Sequence, residues 1–351
     1  MIQQKEIQEE IHSFAQTHLN HDVAERDKNQ FFDRALWQKM GEIKLPGLCI
    51  PEVYGGRGYD PLTTVLALEA LGEGCEDGGL NFAIGAHLFA CLIPILNHGT
   101  EGQKRNFLPK LCDGTWVASN AMTEALSGSN VYQLTTHAKG VEKGYILNGT
   151  KNFVSNGPVA DVLVTYAKTH PDKGFFGGIS AFLLEKGQHE YLMTETMDKM
   201  GVRTCLAGEV QFNNLLVDHS TLLGKEGAGG IIFNQSMEWE RICLGAIHLG
   251  AMKRVIGKTV QFVKKRNLGD QSLANYQAIS HQLAELKSKL DAATLLTYQS
   301  AWKLGKGKNV TKDASVTKLI VSETFKEFAL KTFQIYGGSA FKGNHEAERL
   351  V

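Results

Sequence analysis

Apolar residues recur at helical spacing through the first third of the chain. Ile7, Ile11, Phe14 and Ala15 share one face, and Phe32, Leu36 and Met40 repeat the pattern. Thr63–Gly72 and Leu80–Leu96 are apolar on every side, which predicts helices buried in a core. Pro51–Asp60 is rich in glycine but follows no strand, so it predicts a structural turn rather than a phosphate loop. Beyond residue 116 the pattern changes to short apolar runs broken by turn residues. Gly144–Gly149 predicts a strand running into a tight turn, and Val162–Ala167, Ile179–Leu184 and Glu209–Phe212 predict further strands. After the glycines at 227, 229 and 230, helical spacing returns over Phe233–Lys264, Ala278–Leu304 and Ser315–Gln334. Long periodic segments with short connections predict an antiparallel bundle. The expected class is α+β: a helical domain at 1–115, a β domain at 116–225 and a helical bundle at 226–351. No internal repeat is visible.

Composition narrows the chemistry. The 351 residues carry 37 Lys plus Arg against 37 Asp plus Glu, which gives no basic surface for nucleic acid. No apolar run in the sequence reads as a membrane span, and the polar start Met1–Glu6 has no signal-peptide core. Six scattered cysteines form no CxxC pair, as expected of reduced thiols in the cytoplasm. His18 and His21 are the only close histidine pair, with no acidic or thiol ligands beside them, so no metal site is expected.

Two segments carry candidate chemistry. Ala121–Asn130 (AMTEALSGSN) offers hydroxyls and backbone N–H groups on a small-residue loop, suited to a phosphate. Asn148–Gly157 (NGTKNFVSNG) sets the aromatic Phe153 two residues from the hydroxyl of Ser155, suited to a planar ring. Their order and spacing resemble the flavin-binding half of the acyl-CoA dehydrogenase family, whose usual forms read TEPxAGSD and NGxKxWITNG. The resemblance continues through Gly99–Lys104 and Phe107–Leu111, Lys199–Arg203, Glu240-Arg241, Arg266 with Gln277, and Gln334–Gly338. It covers nearly the whole chain.

The resemblance implies an N-terminal helical domain, a β-barrel-like middle domain and a C-terminal four-helix bundle. It implies FAD held by Met122, Thr123, Gly128, Ser129, Phe153 and Ser155, with Thr123 at the polar edge of the isoalloxazine ring and Ser129 near the pyrophosphate. Arg266, Gln277, Gln334, Gly337 and Gly338 would reach the adenine half of a neighbouring subunit's FAD, which implies a homo-oligomer, a dimer or a tetramer. Ser129, Met237 and Arg241 would meet the substrate, an acyl thioester of coenzyme A or of an acyl or peptidyl carrier protein. The electron acceptor would be an electron-transfer flavoprotein or dioxygen. Departures from the family are Ala125 for Pro, Asn130 for Asp, Phe153 for Trp, Gly269 where a Phe is usual, and Ala340 for the last glycine of the turn. Such drift fits a branch acting on carrier-bound substrates.

Desaturating a thioester needs a carboxylate base in an apolar setting, where desolvation raises its pKa. Glu240 meets that requirement: its helical stripe is Ser236, Met237, Cys243, Leu244 and Ile247, with no Lys or Arg three or four residues away. Glu238, with Arg241 at i+3, is expected to form a solvated pair. Some family members place the base at the Glu240 position, and most place it in a loop after the QxxGG turn. Gln334–Val351 contains no such loop motif, so Glu240 is the expected base, with the β-hydride going to flavin N5. The competing readings are a flavin monooxygenase or nitroalkane-oxidase-like enzyme on the same fold, and a non-catalytic flavoprotein.

Overall fold

The structure, a computed structural model, describes residues 2–342 and 345–351. Helix Ile2–His18 buries Ile7, Ile11 and Ala15 against the helix Pro61–Gly74. The latter starts sharply: Pro61 occupies the first turn, and the Asp60 carboxylate accepts from the Thr63 amide at 2.7 Å. Pro61–Gly74 in turn crosses Gly245–Lys265 with their backbones in contact. A Cβ on Gly72 would strike the carbonyl of Ile247, and one on Gly250 the carbonyl of Glu69. This crossing seats the N-terminal helices on the C-terminal bundle.

The buried helix expected over Leu80–Leu96 forms as one continuous helix, Gly78–His98, with a π turn in its middle. An α-helix Gly78–His87 opens on the Asp77 cap, widens into a π turn at Leu88–Leu92, and closes as Ile93–His98. Pro94 explains the widening. In an α-helix the carbonyl of Ala90 would bond the amide of residue 94, and proline has none. The side-chain amide of Asn120 supplies the missing donor at 2.9 Å. By length and composition Gly78–His98 is apolar enough to cross a membrane, contrary to the sequence expectation, and 83% of its most apolar window is buried inside the protein. Its apolar character is that of a core helix.

The middle region is an eight-stranded sheet. Its path runs Leu192–Met193, Ala207–Asp218, Gly144–Ser155, His137–Val141, Val162–Lys168, Ile179–Glu185, Leu222–Leu223, with Ala118–Ala121 pairing parallel to Val162–Lys168. Leu147, Val154, Phe182, Val210 and Phe212 form its own core. The tight turn expected at Asn148–Gly149 does not form. The strand continues to Ser155 alongside Ala207–Asp218, with register shifts at Leu147/Gly149 and Lys151/Val154. The second shift leaves Phe153 at φ 55°, a left-handed conformation uncommon for a bulky side chain.

The C-terminal bundle comprises Gly229–Cys243, Gly245–Lys265, Gln277–Gly305 and Thr311–Tyr336. The single helix expected over Phe233–Lys264 divides at Leu244, just before Gly245, a poor helix former. All six cysteines are free and buried.

Candidate active site

The helix Gly229–Cys243 packs on the π turn and on the strand Ile179–Glu185. Glu240 projects from that helix into a partly enclosed, largely apolar place. Among the described residues it has neither a salt bridge nor a side-chain hydrogen bond. Burial pushes its carboxyl up to about 7, with Arg241 opposing only weakly. Trp239 stacks on Phe89 of the π turn at 6.3 Å, and Phe233 meets Tyr166 edge-on at 5.6 Å. Burial drives the Cys91 thiol and the Tyr166 phenol upward, and both also feel the Glu240 charge. The Tyr166 hydroxyl is buried without a well-formed hydrogen bond. A carboxylate so placed is a general base poised near neutral pH.

Met237, beside the base, packs against the main core, while Arg241 is exposed. The expected Glu238–Arg241 pair is absent. The Glu238 carboxylate accepts instead from the Thr311 hydroxyl at 2.5 Å, a partner 73 residues away that local spacing cannot reveal.

The Asn120 bond to Ala90 ties this place to the small-residue loop, because Asn120 leads directly into Met122 and Thr123. The loop is held from beneath by two residues that motif reading passed over. Lys151 is fully buried; its ammonium donates to the Met122 carbonyl at 3.1 Å and to Glu124 at 2.8 Å. Glu124 also accepts from the Thr135 hydroxyl at 2.7 Å and the Thr136 amide at 3.0 Å. Desolvation would raise the Glu124 carboxyl, but Lys151 and these donors win and hold it near 2. Burial pulls Lys151 down to about 8 despite its partner. The Asn152 amide donates to the Thr123 carbonyl at 2.8 Å, so the two sequence motifs meet. Phe153 then stands 68% exposed beside the loop. Ser155 is half-buried, and Gly128 and Ser129 are exposed, with open space where a Gly128 side chain would be.

Arg266, Gln277, Gln334, Gly337 and Gly338 gather elsewhere, at one end of the bundle. The Leu273 amide donates to the Arg266 carbonyl at 2.8 Å, and Phe262 packs on Tyr336 at 4.7 Å. All five are exposed, and among the described residues Arg266 has no carboxylate partner. No hydrogen bond links them to Thr123 or Phe153. Gly269, which takes the place of a family Phe, turns a small hairpin between Asn267–Leu268 and Gln271–Ser272 at φ 63°. That hairpin exposes Leu268.

The chain matches three acyl-CoA dehydrogenase domain families in succession: the N-terminal domain over residues 2–115, the middle domain over 119–215 and the C-terminal domain over 227–351. It belongs to the acyl-CoA dehydrogenase family. Among its relatives is L-prolyl-[peptidyl-carrier protein] dehydrogenase of Serratia sp. (strain ATCC 39006), 36% identical over 337 residues, 96% of this chain and 87% of the relative. Among solved structures, the prolyl acyl carrier protein oxidase AnaB superposes with a TM-score of 0.97 at 37% identity, over 99% of this chain and 92% of its own. PigA with FAD and proline also gives 0.97, at 35% identity, over 100% and 91%.

The chain is thus an FAD-dependent oxidoreductase that desaturates acyl thioesters between Cα and Cβ. The observed residues fit that cofactor. Phe153 holds an exposed aromatic face at a strained backbone position, and strain of this kind is retained where surrounding structure enforces it. The neighbouring loop of Gly128 and Ser129 is open to a phosphate.

Proposed function

We propose that this chain oxidises a compact aminoacyl thioester of the prolyl type, presented on the arm of a carrier protein, with Glu240 as the base. The observation that carries the reading is the unpaired Glu240 carboxyl, raised to about 7 by burial beside Cys91 and Tyr166. The prolyl substrates of the Serratia relative and of AnaB support the choice of acyl group.

The chain's own contribution is positional and electrostatic. The thioester acidifies the α-C–H bond, and Glu240 removes that proton. Proton uptake converts a poorly solvated carboxylate into a neutral acid, which the apolar surroundings favour. FAD, when held by Met122, Thr123, Gly128, Ser129, Phe153 and Ser155, supplies the acceptor for the β-hydride. The α-proton and β-hydride leave together, so the product carries a C=C bond conjugated with the thioester.

Arg266, Gln277, Gln334, Gly337 and Gly338 serve a neighbouring copy's FAD in this reading. Their shared exposure supports it, as do the exposed apolar side chains Leu295, Leu319, Ile320 and Leu330 on the two long helices. A dimer or tetramer in solution is expected, and a monomer that retains FAD would oppose the oligomer. Six unpaired thiols support a reducing, cytoplasmic setting. Electrons leave to an electron-transfer flavoprotein or to dioxygen, and reoxidation in air after single turnover separates the two.

The test is mass spectrometry of prolyl-loaded carrier protein after incubation with the holoenzyme. Loss of hydrogen from the acyl group is expected. An unchanged prolyl carrier, with an acyl-CoA oxidised instead, would overturn the substrate assignment.

A further inference from the structure

The connection between Gln277–Gly305 and Thr311–Tyr336 carries Lys306 and Lys308, and Lys312 follows in the first turn of the second helix; all three are exposed, with no acid between them. The turn is built rather than loose. The Gly307 amide donates to the Leu304 carbonyl at 2.9 Å, the Lys308 amide to the Lys303 carbonyl at 3.2 Å, and Gly307 takes the left-handed conformation at φ 64°. Val310 anchors it in the core. Lys308 lies over the exposed Trp302 ring at 4.8 Å.

This turn sits at the base-bearing helix. Thr311 bonds Glu238, two residues from Glu240, and the exposed Arg241 adds a fourth cation on the same helix. Residues 238–241 lie within one helical turn of the base. The carboxylates nearby are engaged: Asp313 with Lys303 at 2.5 Å, and Glu238 with Thr311. Among the described residues, Lys306, Lys312 and Arg241 have no acidic partner. Lys312 also stands in the first turn of its helix, where the macrodipole disfavours a cation. Fold stability gives no reason for that choice, whereas a ligand of opposite charge does.

We propose that Lys306, Lys308 and Lys312 form a docking surface for an acidic carrier domain, placing its thiol arm at Glu240. The proposal rests on the carrier-protein reading above and adds the surface through which the carrier is chosen. A rigid cationic turn over an aromatic ring steers an acidic domain to the site and is screened by salt.

The test compares two thioesters of the same prolyl group, one on the carrier protein and one on free pantetheine. The variant is Lys306→Glu/Lys308→Glu/Lys312→Glu, checked for full FAD content. Its KM for the carrier substrate should rise roughly tenfold or more, with kcat and turnover of the pantetheine thioester unchanged. The wild-type KM for the carrier should rise with ionic strength, and the variant's should not. Equal KM values in variant and wild type, or equal losses on both thioesters, would overturn the docking surface alone. A wild-type enzyme that oxidises the pantetheine thioester but no carrier-bound one would overturn the carrier reading, and the surface with it.

Discussion

The raised pKa of Glu240 has a consequence for stability that is independent of turnover. Its carboxyl moves from 4.5 to about 7 because burial penalises the charged form. At about 1.36 kcal/mol per unit, holding it ionised costs the folded state up to about 3 kcal/mol. The folded protein binds this proton more tightly than the unfolded chain does. The group therefore adds no cost below pH 4.5, an increasing cost between 4.5 and 7, and the full cost above 7. Glu240→Gln removes the charge and keeps the shape. The variant should match the wild type at pH 4.5 and exceed it at pH 8, by up to about 3 kcal/mol, or roughly 5 °C in Tm for a chain of this size. Thermal unfolding with saturating FAD, scanned from pH 4.5 to 8, reads the difference. Equal Tm values at pH 8, or a gain that persists undiminished at pH 4.5, would refute the desolvated base. The trade of stability for function is common at catalytic sites.

Two further variants test the supports of the flavin loop. Lys151→Met leaves Glu124 buried without its cation and frees the Met122 carbonyl, so it should cost about 3 kcal/mol of stability and weaken FAD by roughly tenfold. Fluorescence titration with FAD beside a thermal melt checks it, and unchanged values in both would rule out the clamp. Phe153→Gly relieves the left-handed backbone, worth about 1 kcal/mol, but removes the aromatic face. The apoprotein should hold or gain stability while FAD affinity falls; undiminished affinity would show that the ring does not wall the cofactor.

Much of this site could be read along the chain because its signals are local. The stripe around Glu240 depends only on helical spacing, and the order of TEALSGSN, NGTKNFVSNG and QIYGG needs no tertiary knowledge. What escaped reading depends on distant partners. Asn148–Gly149 has turn composition, yet pairing with Ala207–Asp218 carries the strand onward to Ser155. Pro94 looked like a position inside a helix, and the π turn it produces is completed by Asn120 from the sheet. Glu238 turned from Arg241 to Thr311, because a partner across the bundle outcompeted a neighbour on its own helix. Gly269, a departure from the family pattern, is the left-handed turn of a hairpin that puts Leu268 forward. The Lys151–Glu124 pair joins both flavin motifs, but each residue taken alone reads as an ordinary surface charge.

The most direct measurement is an anaerobic titration of the wild-type holoenzyme and of Glu240→Gln with prolyl-loaded carrier protein, following the absorbance of oxidised flavin. The wild type should bleach. Glu240→Gln should bind FAD equally well and bleach slower by roughly a hundredfold or more, the usual contribution of a general base. Bleaching of the variant at the wild-type rate would contradict the account, because the α-proton would then leave to some other group.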